Sequence, residues 1–269
     1  MLELAIVTDE IDGDIRKAIE LGTSWGIEKY EIRCIGPNRI PAIPEIDQRL
    51  IGQLKDEYNI TYTALSPGIF KLPISHFNEL KHELEHILPR TLDLAAQIGV
   101  KKVIVFGFQR DEKELPGQKD KVMDLMAKAE NMARANNVTL LVENEPGFWF
   151  DTGRNSAHLL GEINSPFLRA NWDPANAIGT GEKPYPEGYE ALKKYIGNVH
   201  AKDTDSHALE RCVPIGEGLV DWKGQIKALI DDRIVPYITI ETHVLPLVEK
   251  SIQNIETIKK YIASAVADV

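Results

Sequence analysis

Eight short apolar segments alternate with longer amphipathic segments along this chain of 269 residues. The apolar segments are predicted strands at residues 2–7, 29–33, 60–65, 102–106, 139–142, 168–172, 196–199 and 237–240. They recur about every thirty residues, the length of a strand, a helix and the return to the next parallel strand. Parallel strands are covered on both faces, which explains why these segments are almost entirely apolar. The alternation therefore predicts an α/β fold with a parallel sheet.

Such a sheet can close into a barrel or stay open as a doubly wound sheet. A doubly wound sheet that binds a dinucleotide carries a Gly-rich turn after its first strand. The first turn of this chain, Thr8-Asp9-Glu10-Ile11-Asp12-Gly13, lacks that pattern. In addition, no Pro/Gly/Ser-rich linker divides the sequence. We therefore predict a single (β/α)8 TIM barrel that forms one domain over residues 1–269.

Apolar residues at helical spacing predict a helix after each strand. One helix is expected to begin near Pro44, another to cover residues 119–136, and the last to run from Pro246 to Ala263. Residues 75–98 are also helical in pattern, but Pro89 lies among them. Because proline has no backbone N–H and clashes with the preceding turn, we expect a break or kink there.

The net charge is −10, and the lysine and arginine residues are scattered along the chain. A nucleic-acid backbone is bound by concentrated positive charge, so we expect no nucleic-acid partner. Only Cys34 and Cys212 are present, and Glu3 stands where a secretory signal would carry positive charge. No apolar run approaches the roughly 20 residues of a membrane helix. We expect a cytoplasmic protein without membrane contact that acts on small molecules; the sequence leaves homo-oligomer formation open.

Two features near the predicted barrel mouth concern charged and aromatic side chains. Glu31 and Arg33 share one side of the second strand, so they are expected to pair with each other. The run Phe148-Trp149-Phe150 follows the fifth strand. Clustered exposed aromatic residues mark binding surfaces, so this run is expected to form a wall over a substrate or a dimer contact.

Each of the last four predicted strands ends at a residue that can bind a metal ion. In chain order these residues are Glu143, Asp173, His200 and Glu241. The carboxyl ends of barrel strands share one mouth, where active sites lie. Three carboxylates gathered there would raise one another's pKa, and a divalent cation would keep all three ionised. The oxygen-rich set favours one Mn²⁺ or Mg²⁺ ion, and Co²⁺ or Zn²⁺ would also fit.

Two of these residues have simpler interpretations when each is taken alone. Asp173 precedes Pro174, and an aspartate followed by proline is a good start for a helix. His200 could be a hydrogen-bonded histidine of the protein interior. The recurrence of acidic residues at matching strand ends favours the metal site.

The sequence contexts of the four residues resemble those of the xylose isomerase-like superfamily of sugar isomerases and epimerases. The contexts are Val142-Glu143-Asn144-Glu145-Pro146, Asn171-Trp172-Asp173-Pro174-Ala175-Asn176, Asn198-Val199-His200-Ala201-Lys202-Asp203 and Ile240-Glu241-Thr242-His243. The segment Pro214-Ile215-Gly216-Glu217-Gly218 is similar to a Gly-Glu-Gly segment of the same proteins. The resemblance covers nearly the whole chain.

This resemblance implies a metal-dependent sugar or sugar phosphate isomerase or epimerase that transfers a proton next to a carbonyl. Glu143, Asp173, His200 and Glu241 would hold the metal, and Glu143 and Glu241 would be the catalytic acid-base pair. The substrate would be a small keto-sugar, a sugar phosphate or a cyclitol ketone. A cyclitol-ketone dehydratase, which is a lyase, would use the same site and is the alternative.

Five further residues are predicted to contact the substrate: Asn176, Lys202, Arg211, Glu217 and His243. Lys202 and His243 share the strand phase of His200 and Glu241, respectively. Lys202 would bind a substrate oxyanion or pair with Glu217 or Asp203, and His243 would contact substrate or orient a ligand. Asn176 stands where ketose 3-epimerases of the superfamily commonly carry a histidine, which counts against epimerisation at C3.

Two other classes of function are less consistent with the sequence. An AP endonuclease-like nuclease would need a three-metal cluster with more histidine ligands and a basic surface, but the chain has seven histidines and a charge of −10. A non-catalytic sugar-binding barrel would be expected to have lost one or more of the acidic ligands. All of them are present here.

Overall fold

The computed structural model describes residues 2–267, in which eight parallel strands form a closed barrel. The strands are β1 (Glu3–Val7), β2 (Lys29–Ile32), β3 (Thr61–Leu65), β4 (Lys102–Phe106), β5 (Thr139–Glu143), β6 (Leu168–Trp172), β7 (Ile196–Ala201) and β8 (Tyr237–Ile240). Strand β1 pairs with both β2 and β8, which closes the ring. The predicted (β/α)8 barrel is confirmed, and the open sheet is excluded.

The strand boundaries agree with the predicted ones to within one or two residues. The main difference is β7, which extends to Ala201, so that His200 lies inside the strand. Likewise Glu143 is the last residue of β5. Both side chains are therefore fixed by ladder hydrogen bonds of the sheet and not by a loop.

Helices follow the strands and cover the outside of the barrel. They are α1 (Ile15–Ser24), α2 (Glu45–Glu57), α3 (Phe77–His82), α4 (Leu88–Ile98), α5 (Gln118–Ala135), α6 (Gly153–Ile163), α7 (Pro174–Ile178), α8 (Tyr189–Leu192), α9 (Trp222–Asp232) and α10 (Leu247–Ala267). Between residues 2 and 267, no helix is both long and apolar enough to cross a membrane.

A break or kink was expected at Pro89, and the structure shows a change of helix type just before it. A π-helical turn, Glu83–Ile87, joins α3 to α4, and Pro89 lies in the first turn of α4. Proline clashes with the carbonyl four residues before it, and a wider turn relieves that contact. The helical course therefore continues from Phe77 to Ile98.

The main hydrophobic core lies between the strands and the surrounding helices. Inside the barrel, Ala64, Ile104 and Leu141 form a small apolar layer. At the end opposite the carboxyl ends of the strands, Lys102 Nζ donates to the Gly197 carbonyl and to the Tyr237 hydroxyl, each at 2.9 Å. The barrel interior is thus packed at this end, and active sites of such barrels lie at the other.

The aromatic run after β5 is buried, contrary to the expectation of an exposed surface. Phe148, Trp149 and Phe150 are 6%, 7% and 0% exposed. The Arg110 guanidinium lies 4.4 Å from the centre of the Trp149 ring and covers it. The backbone of this loop bonds to the loop after β4, for example through Trp149 N–H to Phe108 O at 3.0 Å. The run therefore anchors two loops, and the expectation that it is exposed is wrong.

Candidate metal centre

The barrel brings the four predicted metal ligands together at its carboxyl end. One ligand atom from each of Glu143, Asp173, His200 and Glu241 lies within 4.8 Å of the others. All four residues are buried. They come from four consecutive strand ends, as the sequence order suggested. His200 is a hydrogen-bonded histidine of the interior, and its other ring nitrogen also faces the acidic residues.

The His200 ring is oriented by a residue on the far side of the barrel. Its Nε2 lies 3.0 Å from Glu31 Oε2, and both side chains are buried. Its Nδ1 is buried, has no hydrogen-bond partner among residues 2–267, and lies 3.5 Å from Glu241 Oε2 and 3.7 Å from Glu143 Oε2. A carboxylate behind a histidine fixes the ring and raises the basicity of the nitrogen that faces a metal.

Asp173 uses its two carboxylate oxygens for different purposes. Oδ1 accepts the backbone N–H groups of Ala175 (2.8 Å) and Asn176 (3.0 Å), so it caps the short helix α7. Oδ2 faces the centre, where Lys202 Nζ lies 2.7 Å away. The helix-capping interpretation of Asp173 and its place in the cluster are therefore both correct.

The loops that carry Glu143 and Asp173 are joined by a pair of hydrogen bonds. Asn144 Nδ2 donates to the Asp173 carbonyl at 2.9 Å, and Asp173 N–H donates to Asn144 Oδ1 at 2.8 Å. Asn144 is 1% exposed. The Asn144 amide thus makes the two hydrogen bonds that a backbone peptide of a neighbouring strand would make. These bonds fix the separation of the Glu143 and Asp173 carboxylates beyond the ends of their strands.

Glu241 is held by two cationic side chains on one oxygen. Arg33 Nη1 donates to Oε1 at 2.8 Å, and His243 Nε2 lies 3.0 Å from the same atom. Its other oxygen, Oε2, faces His200 Nδ1 (3.5 Å) and Lys202 Nζ (3.4 Å). Only Oε2 is therefore directed toward the centre.

The two side chains that bind Glu241 Oε1 also bind acidic residues that follow β1. Arg33 also donates to Glu10 Oε1 at 2.5 Å and to Asp9 Oδ2 at 2.9 Å. Glu10 in turn accepts the backbone N–H of His243 at 2.7 Å. His243 has a φ of +49°, in the left-handed region that favours glycine, and this hydrogen bond helps to hold it there.

Each oxygen of Glu143 accepts a hydrogen bond from a neutral amide, and Oε2 also lies 3.7 Å from His200 Nδ1. Asn171 Nδ2 donates to Oε2 at 3.1 Å, and Asn176 Nδ2 donates to Oε1 at 3.4 Å. The Asn171 amide is oriented in turn by Asn198, whose Nδ2 donates to Asn171 Oδ1 at 2.9 Å. Thr239 supports Asn198 through a 3.3 Å hydrogen bond. A chain of uncharged groups across the barrel therefore positions Glu143.

The two glutamates consequently differ in acidity. Burial is the main cause that raises the pKa of Glu143 to about 7; His200 and Lys202 oppose the increase, and Glu241 and Asp173 add to it. Burial also opposes ionisation of Glu241, but Lys202, His200 and His243 hold the pKa of Glu241 well below its usual value. Burial alone would lower the pKa of His200, yet Glu31, Glu143 and Glu241 raise it well above its usual value. The site thus pairs one readily protonated carboxylate with one that stays ionised.

The five predicted substrate contacts are not all near the centre. Asn176 and Lys202 contact the four-residue cluster directly, and His243 contacts Glu241. Lys202 pairs with Asp173 and Glu241, and not with Glu217 or Asp203.

Arg211 and Glu217 lie away from the cluster. Arg211 is exposed and pairs with Asp205, and Glu217 is exposed and accepts a hydrogen bond from Gln253 at 2.7 Å. Glu217 is turned outward because the Asp203 carboxylate accepts the backbone N–H groups on either side of it, those of Gly216 (2.9 Å) and Gly218 (3.3 Å). A Cβ on Gly218 would lie 2.2 Å from Asp203 Oδ1, so this close approach requires glycine.

The predicted pairing of Glu31 with Arg33 is wrong. Glu31 lies inside the barrel against His200, whereas Arg33 lies about 6–7 Å further along, at the rim, against Asp9, Glu10 and Glu241. The role of Glu31 was missed although its signal was present. An acidic residue in an otherwise apolar strand must find a partner in the interior.

The donor set is suited to a divalent cation. Glu143, Asp173 and Glu241 each direct at least one carboxylate oxygen at the same small volume as the buried Nδ1 of His200. Three oxygens and one nitrogen at this spacing agree with the coordination chemistry of Mn²⁺, Mg²⁺, Co²⁺ or Zn²⁺. The residues therefore fit a metal ion, and the geometry alone does not select one.

Comparison with solved structures shows what this barrel is similar to. A D-tagatose 3-epimerase-like protein superposes with a TM-score of 0.83 at 17% identity, over 99% of each chain. A probable 3-DHS dehydratase from Bacillus anthracis gives 0.77 at 18% identity, over 95% of this chain and 99% of that one. The IOLI protein, solved with a zinc atom, gives 0.76 at 18% identity, over 99% of each chain. At these identities the likeness establishes the fold.

Comparison at the level of sequence establishes the family. No curated protein matches the chain. The sequence pattern of the xylose isomerase-like TIM barrel family, however, matches residues 19–261, which is most of the chain. The chain therefore belongs to the xylose isomerase-like TIM-barrel family.

Proposed function

We propose that the protein is a divalent-metal-dependent isomerase or epimerase of a small keto-sugar, sugar phosphate or cyclitol ketone. The observation that carries the proposal is the buried His200 Nδ1, turned toward three carboxylates from neighbouring strand ends. Burying several carboxylates together costs free energy unless a cation compensates their charge. The sugar-epimerase and zinc-containing structures among the similar barrels support it.

Glu143, Asp173, His200 and Glu241 would hold the metal, with Mn²⁺ or Mg²⁺ favoured. When bound, the cation would polarise the substrate carbonyl and make the hydrogen on the neighbouring carbon more acidic. Glu31 would keep the His200 ring in place, and the Asn144 hydrogen bonds would keep Glu143 and Asp173 at a fixed separation. The first contribution of the chain is thus a rigid set of ligands.

Glu143 and Glu241 would act as the acid-base pair with unequal roles. Both oxygens of Glu143 accept hydrogen bonds from neutral amides, so Glu143 is the less strongly held of the two glutamates and can accept a proton from carbon and release it again. Glu241 is surrounded by cations, so a proton placed on it would be returned readily. Glu143 is therefore the better base, and any proton that Glu241 returns to the substrate is one that it holds only briefly.

Three side chains at the mouth would contact the substrate. Asn176 offers an amide to a hydroxyl, Lys202 a positive charge to an oxyanion, and His243 a ring nitrogen near Glu241. Arg211 and Glu217 would contact the substrate only if the loop around Asp203 moved inward. We therefore assign them to the outer rim of the site.

The test is solvent-deuterium incorporation into a set of keto-sugars, their phosphates and cyclitol ketones, with Mn²⁺ and with chelator. We expect metal-dependent exchange at the carbon next to the carbonyl. Replacement of Glu143 or Glu241 by glutamine should slow the exchange roughly a hundredfold or more. The exposed Glu112→Gln variant is the control. Exchange at the wild-type rate in both glutamine variants, with metal binding retained, would refute the acid-base assignment.

A cyclitol-ketone dehydratase is the second candidate, favoured by the inequality of the two glutamates. Removal of water from a hydroxy ketone takes a proton from the carbon next to the carbonyl and breaks the bond to a hydroxyl group, which leaves as water once it is protonated. Glu143 alone could take the proton from carbon and pass it to the leaving hydroxyl. The probable dehydratase among the similar barrels supports this alternative. Mass spectrometry of the same reactions separates the candidates, because a dehydratase product is lighter by one water and an isomerase product is not.

A further inference from the structure

Lys202 places an ammonium group among the metal ligands. Its Nζ lies 2.7 Å from Asp173 Oδ2 and 3.4 Å from Glu241 Oε2. These are the oxygens that the two carboxylates direct toward the centre, since Asp173 Oδ1 caps a helix and Glu241 Oε1 is held by Arg33. The Lys202 side chain is 11% exposed. A cation bound at the centre and the ammonium would therefore need the same two oxygens.

The Lys202 ammonium can move while the Lys202 backbone stays in place. Lys202 follows the last residue of β7, and its carbonyl accepts the indole N–H of Trp222 at 3.1 Å. Trp222 is buried, so this end of the residue is fixed. The side chain is an unbranched four-carbon stem with many rotamers, and 11% of it reaches solvent. The charged end can thus leave the carboxylates toward the mouth.

We propose that the Lys202 ammonium competes with the metal ion for these two oxygens. When the metal binds, the ammonium is displaced toward the mouth, where it faces the substrate. The inference rests on the proposed function and adds a regulation of the same site. Like charges that share two carboxylates repel strongly in a buried setting, so they exclude each other from these oxygens. Metal loading and the freeing of the substrate-binding ammonium are then one event.

The competition predicts a gain in metal affinity when the ammonium is removed. In Lys202→Met the competing charge is lost, and in Lys202→Gln it is replaced by an amide that can still donate to Asp173. We expect both variants to bind Mn²⁺ at least about tenfold more tightly than the wild type, the scale of one close charge interaction. The probe is Mn²⁺ alone, with binding measured by calorimetry and by the electron paramagnetic resonance of free Mn²⁺.

The matched control is Lys71→Met. Lys71 pairs with Glu145 at 3.5 Å and lies 3.7 Å from the Phe106 ring centre, so its removal deletes one positive charge near the mouth without touching a ligand. We expect its Mn²⁺ affinity to stay within about twofold of the wild-type value, because the charge is half exposed and screened. Circular dichroism of each variant verifies folding.

The outcomes separate the two proposals. Tighter binding by both Lys202 variants, and not by Lys71→Met, supports the competition, because a variant that merely damaged the site would bind less tightly. Unchanged or weaker binding by folded Lys202 variants, with the wild type binding normally, overturns it and leaves the proposed function standing. If neither the wild type nor any variant binds Mn²⁺, Mg²⁺, Co²⁺ or Zn²⁺, both proposals are refuted.

Discussion

Replacing Glu143 by glutamine should stabilise the protein in the presence of chelator, and more so at high pH than at low pH. Burial raises the pKa of Glu143 to about 7, compared with an ordinary value of 4.5. The folded protein therefore holds this proton more tightly than the unfolded chain does. Wild-type stability is consequently lost as the pH rises from about 4.5 through about 7. Glutamine has the shape of the protonated acid and carries no charge at any pH.

The size of the effect follows from the two pKa values. At about 1.4 kcal/mol for each pH unit, the difference between 4.5 and about 7 corresponds to roughly 3 kcal/mol. For a chain of this length, 1 kcal/mol changes Tm by about 2–4 °C. We therefore expect the melting temperature of Glu143→Gln to exceed that of the wild type by up to roughly 10 °C at pH above 8, and to match it below pH 5.

The assay is thermal unfolding followed by circular dichroism at several pH values, with excess chelator throughout. Glu112→Gln removes an exposed carboxylate from the loop after β4 and is the control. Its difference from the wild type should be small and independent of pH. If the difference between Glu143→Gln and the wild type is the same at low and high pH, the reasoning about burial of Glu143 is refuted.

Three further predictions concern other parts of the site. Glu31→Ala should weaken Mn²⁺ binding about 10–100-fold in calorimetry, because His200 loses the group that orients it; an equal loss in the exposed Glu28→Ala would contradict this. Adding Mn²⁺ at about a hundred times its Kd should stabilise the wild type by roughly 2.7 kcal/mol in urea unfolding, and chelator should abolish the gain. Asp203→Ala should cost about 1–3 kcal/mol in the same assay, because four backbone N–H groups lose their acceptor, whereas Asp205→Ala should cost less than about 0.5 kcal/mol.

Local patterns in the sequence were sufficient to predict the barrel and the residues of the buried cluster that could hold a metal ion. Each barrel strand is a short apolar run with turn residues after it, and such a run needs no distant information to be recognised. The parallel alternation then sends every strand end to one mouth. Glu143, Asp173, His200 and Glu241 could therefore be placed together, since strand parity and barrel closure together determine where they meet.

The interactions between side chains from distant strands were decided only by the tertiary structure. Glu31 and Arg33 are two residues apart and looked like a pair, but the depth of the barrel separates them and gives each a different partner. Lys202 pairs with Asp173 and Glu241 and not with its sequence neighbour Asp203, because the Asp203 carboxylate accepts backbone N–H groups. Sequence reveals which residues share a side of a strand. It does not reveal which of several charged groups is nearest across the barrel, because that depends on strand stagger and loop course, and electrostatic preference changes steeply with distances of a few ångströms.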